Sequence, residues 1–235
     1  MVHGRDIFFS NMPFLLFIYN IIFSSLPHIY FPHTSQKEDR EGEWNKPPII
    51  QEEAVNNMVC HLDTYKSMGL DGTHPRVLME LAEELEKPFS IICQHSWLTG
   101  DVQDDCRISN ATPIYKKGKK EDPGNHRPVS LTSVPGKIME RFILSALTGH
   151  VKDNQGFRPS QHGFMKDRSC LTNLISFYDQ VTHLVDEGKA VDVVYLDIRK
   201  AFDTVPHSIL LQKLAAHGLD GCTLHWIKNW LNGRA

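Results

Sequence analysis

The sequence feature with the clearest chemical potential is a carboxylate at the end of an apolar run. Asp197 follows a run rich in β-branched and aromatic residues, which predicts a buried strand over Ala190–Leu196. A carboxylate at the lip of such a strand is costly unless it is paired or binds a metal ion. Mg²⁺ prefers oxygen ligands, and the backbone carbonyl of Ile198 adds one. A metal site and a paired structural carboxylate remain open alternatives on these residues alone.

Two neighbouring acids have simpler interpretations. Asp203 precedes Pro206, where a helix is predicted to begin, and an acid suits the positive end of a helix dipole. Asp192 lies on the opposite strand face from Asp197, because side chains alternate along a strand. We therefore interpret Asp203 as a helix-start residue and Asp192 as solvated.

A basic loop is the second feature with chemical potential. Residues 107–115 and 127–131 are predicted as two short strands, and a lysine-rich loop joins them. Its basic residues are Lys116, Lys117, Lys119 and Lys120. Such side chains neutralise the phosphates of a nucleic-acid strand or a nucleotide triphosphate. A solvated loop without a ligand is the alternative.

The elements that must position these residues are mainly helical. Apolar spacing, prolines and glycines indicate where the helices begin and end. Helices are predicted over residues 52–67, from Pro75, from Pro88, over 134–148, from the N-cap Ser169 to Gly188, over Pro206–Ala216 and over about 219–231. Helices, a basic hairpin and a helix–strand–helix unit in this order predict an α+β fold.

Composition and charge exclude several classes of protein. The 235 residues are 41% hydrophobic and 23% charged, which excludes a fully disordered chain, a collagen-like repeat and a multi-span membrane protein. Residues 38–105 carry 5 basic and 15 acidic side chains, whereas residues 107–235 carry 18 and 12. The basic second half favours a polyanionic partner. The chain has no Gly-x-Ser-x-Gly, Walker or His-Glu-x-x-His motif, so no hydrolase is predicted.

The N-terminal segment has a different character. Residues 7–31 contain 17 apolar residues in 25 and no Lys, Arg, Asp or Glu, enough for a membrane helix. Arg5 precedes them, as in a signal peptide. The interrupting residues are Asn11, Pro13, Asn20 and Pro27. A targeting or anchor segment and a leader that is not native to the protein both remain open. Five widely spaced cysteines predict reduced, mostly buried thiols and an intracellular protein, with membrane or secretory targeting as the alternative.

Five segments together resemble the reverse transcriptases of non-LTR (LINE-type) retrotransposons, in the jockey and chicken-repeat branch. They are SMGLDGTHP (67–75), TPIYKKGKKEDPGNHRPVSL (112–131), SQHGF (160–164) with Ser169-Cys170, YLDIRKAFDTV (195–205) and WLNGR (230–234). They follow the family's order, and the resemblance covers residues 51–235. It implies a right-hand polymerase that copies RNA into DNA with two metal ions, with residues 107–168 in the fingers and 190–217 in the palm.

The resemblance implies a role for each residue that matches the motif around the carboxylate. Asp197 would be the first catalytic aspartate and would hold Mg²⁺, with the carbonyl of Ile198 beside it. Phe202 would lie under the incoming sugar as a steric gate that excludes ribonucleotides. An aromatic side chain that only anchors the strand–helix turn is the alternative for Phe202.

The resemblance also implies roles for the basic residues and a set of partners. Arg127, with Lys116 or Lys117, would meet the incoming triphosphate or the template. Lys119 and Lys120 would bind nucleic acid. The implied partners are an RNA template, a DNA primer and dNTP, and the implied cofactor is Mg²⁺.

The family's second aspartate pair is not found in this sequence. Its only Asp-Asp is Asp104-Asp105, which precedes the predicted palm strand and lacks flanking apolar strands. Two-metal catalysis needs ligands from both places, so we expect the front part of a polymerase that is inactive alone. The predicted organisation is a leader (1–31), a linker (32–50), a helical N-terminal extension (51–106) and a partial reverse transcriptase domain (107–235). The alternatives are a non-catalytic nucleic-acid-binding remnant and a membrane-anchored or secreted protein.

Overall fold

Helices and one β-hairpin make up the architecture. The structure, a computed structural model, describes Phe14, Ile18 and residues 48–108, 110–153, 156–163, 165–195 and 205–232. Within these ranges the helices are α1 (Glu52–Cys60), α2 (Pro75–Glu80), α3 (Ala82–Thr99), α4 (Asp104–Arg107), α5 (Val134–Asp153), α6 (Cys170–Asp186), α7 (His207–Ala216) and α8 (Gly221–Leu231). The strands β1 (Asn110–Tyr115) and β2 (His126–Leu131) form a two-stranded antiparallel sheet. The predicted α+β class is confirmed.

Side-chain caps explain where two of the helices begin. The Oγ atom of Ser169 accepts the Thr172 backbone N–H, and the Thr172 hydroxyl accepts the Ser169 N–H at 2.9 Å, which completes a capping box. The predicted N-cap is therefore confirmed. Asp220 caps α8 in a similar way, since its Oδ1 accepts the backbone N–H of Thr223 at 2.9 Å. Each cap contributes about 1 kcal/mol, because it satisfies an orphan N–H of the first turn.

The core is built from residues of α1, α3, α5, α7 and α8. Helix α3 packs against both α1 and α8, and α8 also packs against α7. Three tryptophans in the core are each about 1% exposed, and each indole N–H has a partner from another helix. The pairs are Trp97 Nε1 to Thr223 Oγ1 at 2.9 Å, Trp226 Nε1 to Ser96 Oγ at 3.0 Å and Trp230 Nε1 to Glu140 Oε1 at 2.9 Å. Because buried indoles need such partners, these bonds fix how α8 lies against α3 and α5.

Two predicted helix boundaries are wrong. The first helix ends at Cys60 and not at Ser67, because residues 61–67 form turns. Pro88 lies inside α3 and does not start it. Proline lacks a backbone N–H and therefore removes one helical hydrogen bond. The buried residues Ala82, Cys93 and Trp97 lie on both sides of Pro88, so packing along the whole helix offsets that loss.

The predicted buried strand over Ala190–Leu196 is wrong for residues 190–195. They form no strand, and Val194 and Tyr195 are 77% and 83% exposed. A strand needs a hydrogen-bonding neighbour, and among the described residues no segment pairs with this one. The amphipathic helix α6 likewise buries none of its side chains. An apolar pattern can predict a strand or a helix, but it does not show which other segment packs against the apolar face.

The thiols differ widely in their surroundings. Burial raises the pKa of Cys93 to about 12, and the nearby thiol of Cys106 adds to the shift, so Cys93 stays protonated at neutral pH. Only Cys93 is buried, whereas Cys106 and Cys222 are half-buried and Cys60 and Cys170 are exposed, so the expectation of mostly buried thiols is wrong. Among the described residues, none of the helices combines the length and the apolar character needed to cross a bilayer.

Candidate nucleic-acid interface

The basic loop joins the two strands of the hairpin, as the sequence predicts. In the antiparallel register Ile114 lies opposite Arg127 and Tyr115 lies opposite His126. The rings of Tyr115 and His126 meet edge to face with centroids 5.9 Å apart. The first strand begins at Asn110, later than predicted, because residues 104–107 form the short helix α4. Cross-strand pairing therefore sets the position of the loop that follows Tyr115.

Hydrogen bonds within the loop give it a defined shape. The Lys116 backbone N–H donates to the Asn125 carbonyl at 2.8 Å, and Asn125 Nδ2 donates to the Lys119 carbonyl at 3.0 Å. The Gly124 N–H donates to Asp122 Oδ1 at 2.9 Å. Gly118 has φ +94°, and a Cβ atom there would lie 2.6 Å from Asn125 Nδ2. A residue with a side chain would be strained at this φ, which favours glycine at position 118.

The lysines project from this ordered backbone into solvent. All four side chains, those of Lys116, Lys117, Lys119 and Lys120, are exposed. Lys120 Nζ lies 5.6 Å from the Tyr115 ring centroid, within cation–π distance. The carboxylate of Asp122 accepts hydrogen bonds from the Gly124 N–H and from Asn125 Nδ2. The loop therefore presents four positively charged side chains on a backbone that hydrogen bonds hold in one conformation.

Sequence reasoning missed the residues that order the loop. Tyr115, whose hydroxyl donates to the Gly118 carbonyl, closes the near side of the turn. Asp122 and Asn125 close the far side, where Asp122 caps a 3₁₀ turn over Pro123–Asn125 and Asn125 is the last residue of that turn. The signal was present, because Asp-Pro-Gly-Asn is a turn sequence whose acid and amide bond to nearby backbone groups.

Gly69, in the 67–75 segment, packs against the exit of the hairpin. A Cβ atom on Gly69 would lie 2.5 Å from Ser133 Cα and 2.6 Å from Ser133 N. The Gly72 N–H closes the turn on the Gly69 carbonyl at 3.3 Å. Ser133 directly precedes α5, so the two backbones touch where the hairpin passes into the helix. This contact links the helical N-terminal region to the basic hairpin.

Gly69→Ala is expected to lower the free energy of unfolding by about 2–3 kcal/mol, because a methyl group must displace backbone and not a flexible side chain. The melting temperature should fall by about 4–12 °C at the scaling for this chain length. The control is Gly149→Ala, since a Cβ atom there meets nothing within 4 Å and the site is inside α5. Alanine at position 149 should hold or raise stability. Equal melting temperatures for both variants would contradict the contact.

A second segment of the family motif is tied to α6. Arg168 Nη1 donates to the Gln161 carbonyl at 2.8 Å and also contacts the Pro159 carbonyl. His162 Nδ1 lies 3.0 Å from the Thr172 hydroxyl, which belongs to the capping box of α6. The arginine thus serves the local turn, and no chemistry is assigned to this segment.

A cavity of about 50 Å³ lies between α5 and the segment that follows α1. Three cations line it, namely Lys66, Lys137 and Arg141, together with the acids Asp63 and Glu140. Burial lowers the pKa of Lys137, and Glu140 opposes that shift. Because the cations and the carboxylates nearly balance, the cavity is not assigned to a phosphate.

The predicted catalytic residues lie outside the described residues. Asp197, Ile198 and Phe202 fall in the gap between residues 195 and 205. Within the described ranges, no three His, Cys, Asp or Glu side chains cluster closely enough to hold a metal ion. Of the residues predicted to act, the five basic ones are brought together on one hairpin, Arg127 on its second strand and the lysines in its loop.

Comparison with known proteins supplies the context for this hairpin. The family model described as reverse transcriptase (RNA-dependent DNA polymerase) matches residues 114–235. This match takes in the basic loop, β2 and the helices α5 to α8, together with the positions of Asp197 and Phe202.

Retrotransposon proteins resemble the chain over most of its length. It is 30% identical over 187 residues to the retrovirus-related Pol polyprotein from type-1 retrotransposable element R2 of Popillia japonica, covering 79% of this chain and 24% of that protein. The RNA-directed DNA polymerase from mobile element jockey of Drosophila melanogaster is 27% identical over 68% of this chain and 18% of its own length. A probable RNA-directed DNA polymerase from transposon BS of the same species is 24% identical over 80% and 22%. The chain thus spans about a quarter or less of these curated relatives.

Proposed function

The chain belongs to the reverse transcriptase (RNA-dependent DNA polymerase) family, and from that premise we propose that it supplies the fingers and the first palm motif of a mobile element's RNA-directed DNA polymerase. The observation that carries the proposal is the ordered hairpin loop with four exposed lysines, which lies in the matched region. Family membership implies nucleic-acid substrates, so a phosphate-binding element has a ligand to bind.

The hairpin would act by neutralising phosphates. An ammonium group releases counterions from the phosphate backbone when it binds, which makes affinity depend on salt. Since hydrogen bonds already order the loop backbone, less conformational entropy is lost on binding than for a flexible loop. Arg127, opposite Ile114 at the base of the loop, would meet the triphosphate or the template with Lys116 or Lys117. Lys119 and Lys120 would track the template strand.

The carboxylate motif would supply the chemistry. Reverse transcriptases use a divalent metal ion, and a carboxylate with a backbone carbonyl is the type of oxygen donor set that Mg²⁺ prefers. Asp197 and Ile198 would hold the ion, which when bound stabilises charge on the reacting phosphate. Phe202 would support the sugar of the incoming nucleotide. In this proposal residues 107–168 form the fingers and 190–217 the palm of a right-hand polymerase, and residues 51–106 form a helical extension.

Binding of single-stranded RNA tests the hairpin directly. If four basic residues each engage a phosphate, affinity should fall about fiftyfold between about 50 and 200 mM salt, because the slope is near 0.7 per contact. Replacing Lys116, Lys117, Lys119 and Lys120 with glutamine should remove most of that slope. Fluorescence anisotropy with labelled RNA at several salt concentrations measures both quantities.

A matched control separates a binding site from general positive charge. Lys152, Lys166, Lys189 and Lys228 are also exposed, and replacing them with glutamine changes the net charge by the same amount. That variant should keep the fiftyfold salt effect. Equal losses in the two variants would contradict a site on the hairpin.

A further inference from the structure

The apolar N-terminal segment contributes two residues to the core. Phe14 and Ile18 are helical and 0% exposed. They are four residues apart, so both lie on one face of a helical turn. Neither a targeting sequence nor a leader foreign to the protein requires such burial. The burial of these two side chains therefore indicates a role in packing.

Phe14 lies against an aromatic surface on α8. Its ring meets Trp230 edge to face at 4.9 Å and Trp226 edge to face at 5.9 Å. The two indoles stack on each other with centroids 6.2 Å apart. Edge-to-face pairs contribute beyond the area that they bury. We name the Trp226–Trp230 surface the aromatic groove.

The indole N–H groups of the aromatic groove make two hydrogen bonds, one partly buried and one buried. Trp226 donates to Ser96, and Trp230 donates to the carboxylate of Glu140. Glu140 is 3% exposed, and a buried carboxylate is costly unless its partners stay in place. Phe14 packs on the ring of Trp230, whose N–H donates to Glu140.

We propose that the N-terminal segment is an intramolecular packing element: Phe14 docks in cis on the aromatic groove of α8, and Ile18 is buried with it in the core of the domain. The segment cannot hold Phe14 in that groove and insert it into a bilayer at the same time. Folding of this chain and membrane insertion of residues 7–31 are therefore alternatives, and the 0% exposure of both side chains selects folding.

The full-length chain with Phe14→Ala or Ile18→Ala tests the proposal. Large-to-small changes at buried sites should lower the melting temperature by about 10 °C, and Trp emission should move to longer wavelength as water reaches the groove. The matched control is Ile175→Ala, because Ile175 is 59% exposed on α6. Unchanged melting and emission in both core variants would overturn the proposal.

The unaltered protein supplies a readout that does not depend on a variant folding. Chymotrypsin should cleave slowly after Phe14, as mass spectrometry of early fragments will show, and the chain should stay in the supernatant when microsomes are extracted with alkaline carbonate. Rapid cleavage after Phe14, or recovery in the membrane pellet, would overturn the proposal. A melting temperature that rises with protein concentration would overturn docking in cis, since it would indicate that Phe14 docks on another copy.

Discussion

Replacing Asp197 with asparagine is expected to lower primer extension on an RNA template by about a thousandfold, once the chain is joined to the downstream region of its R2 relative. The substitution keeps the shape of the side chain and removes the charge that would hold the metal ion. A metal ion contributes several kcal/mol of transition-state stabilisation, and about 4 kcal/mol corresponds to a thousandfold in rate. The measurement is kcat for dNTP incorporation, with the Mg²⁺ concentration at half-maximal rate as a second readout.

Asp192→Asn is the matched control for this experiment. It makes the same chemical change five residues earlier, at an exposed carboxylate. Asp192→Asn should leave kcat and the Mg²⁺ concentration at half-maximal rate unchanged. Asp197→Asn should lower kcat and raise that Mg²⁺ concentration, at an unchanged melting temperature. Equal activity of the two variants would remove Asp197 from the proposed site.

Local sequence signals predicted the basic hairpin and the N-cap of α6. Asp-Pro-Gly-Asn codes for a turn through bonds between residues two to six apart, and Ser169 caps α6 through Thr172, three residues away. Such contacts can be predicted because both partners lie in the same short segment. The strands on either side needed only each other, so the hairpin could be predicted as a unit.

Contacts between distant segments could not be predicted in the same way. The run Val191–Tyr195 has the composition of a buried strand. Burial also requires a neighbouring strand, and the composition of the run does not identify one. The opposite case is Phe14, in a segment that is typical of a membrane helix. Its partner Trp230 lies more than 200 residues along the chain, and no local pattern connects the two. Tertiary packing decided both outcomes.

The proposed steric gate leads to the second large effect. In the same completed polymerase, Phe202→Val should admit ribonucleotides, because a ring under the sugar clashes with a ribose 2′-hydroxyl and tolerates deoxyribose. Loss of a barrier of roughly 3 kcal/mol changes selectivity by about a hundredfold, since 1.36 kcal/mol is tenfold in rate. The measurement is the ratio of kcat/KM for dNTP to that for NTP.

A packing role for Phe202 predicts a different result from the same variant. Loss of a buried ring would lower stability by a few kcal/mol and reduce dNTP and NTP incorporation together, so the ratio would not change. Phe202→Tyr is the control, because it keeps the ring and should keep both selectivity and melting temperature close to those of the parent. An unchanged ratio with a lower melting temperature in Phe202→Val would make Phe202 a packing residue. A hundredfold lower ratio at an unchanged melting temperature would make it the residue that selects the sugar.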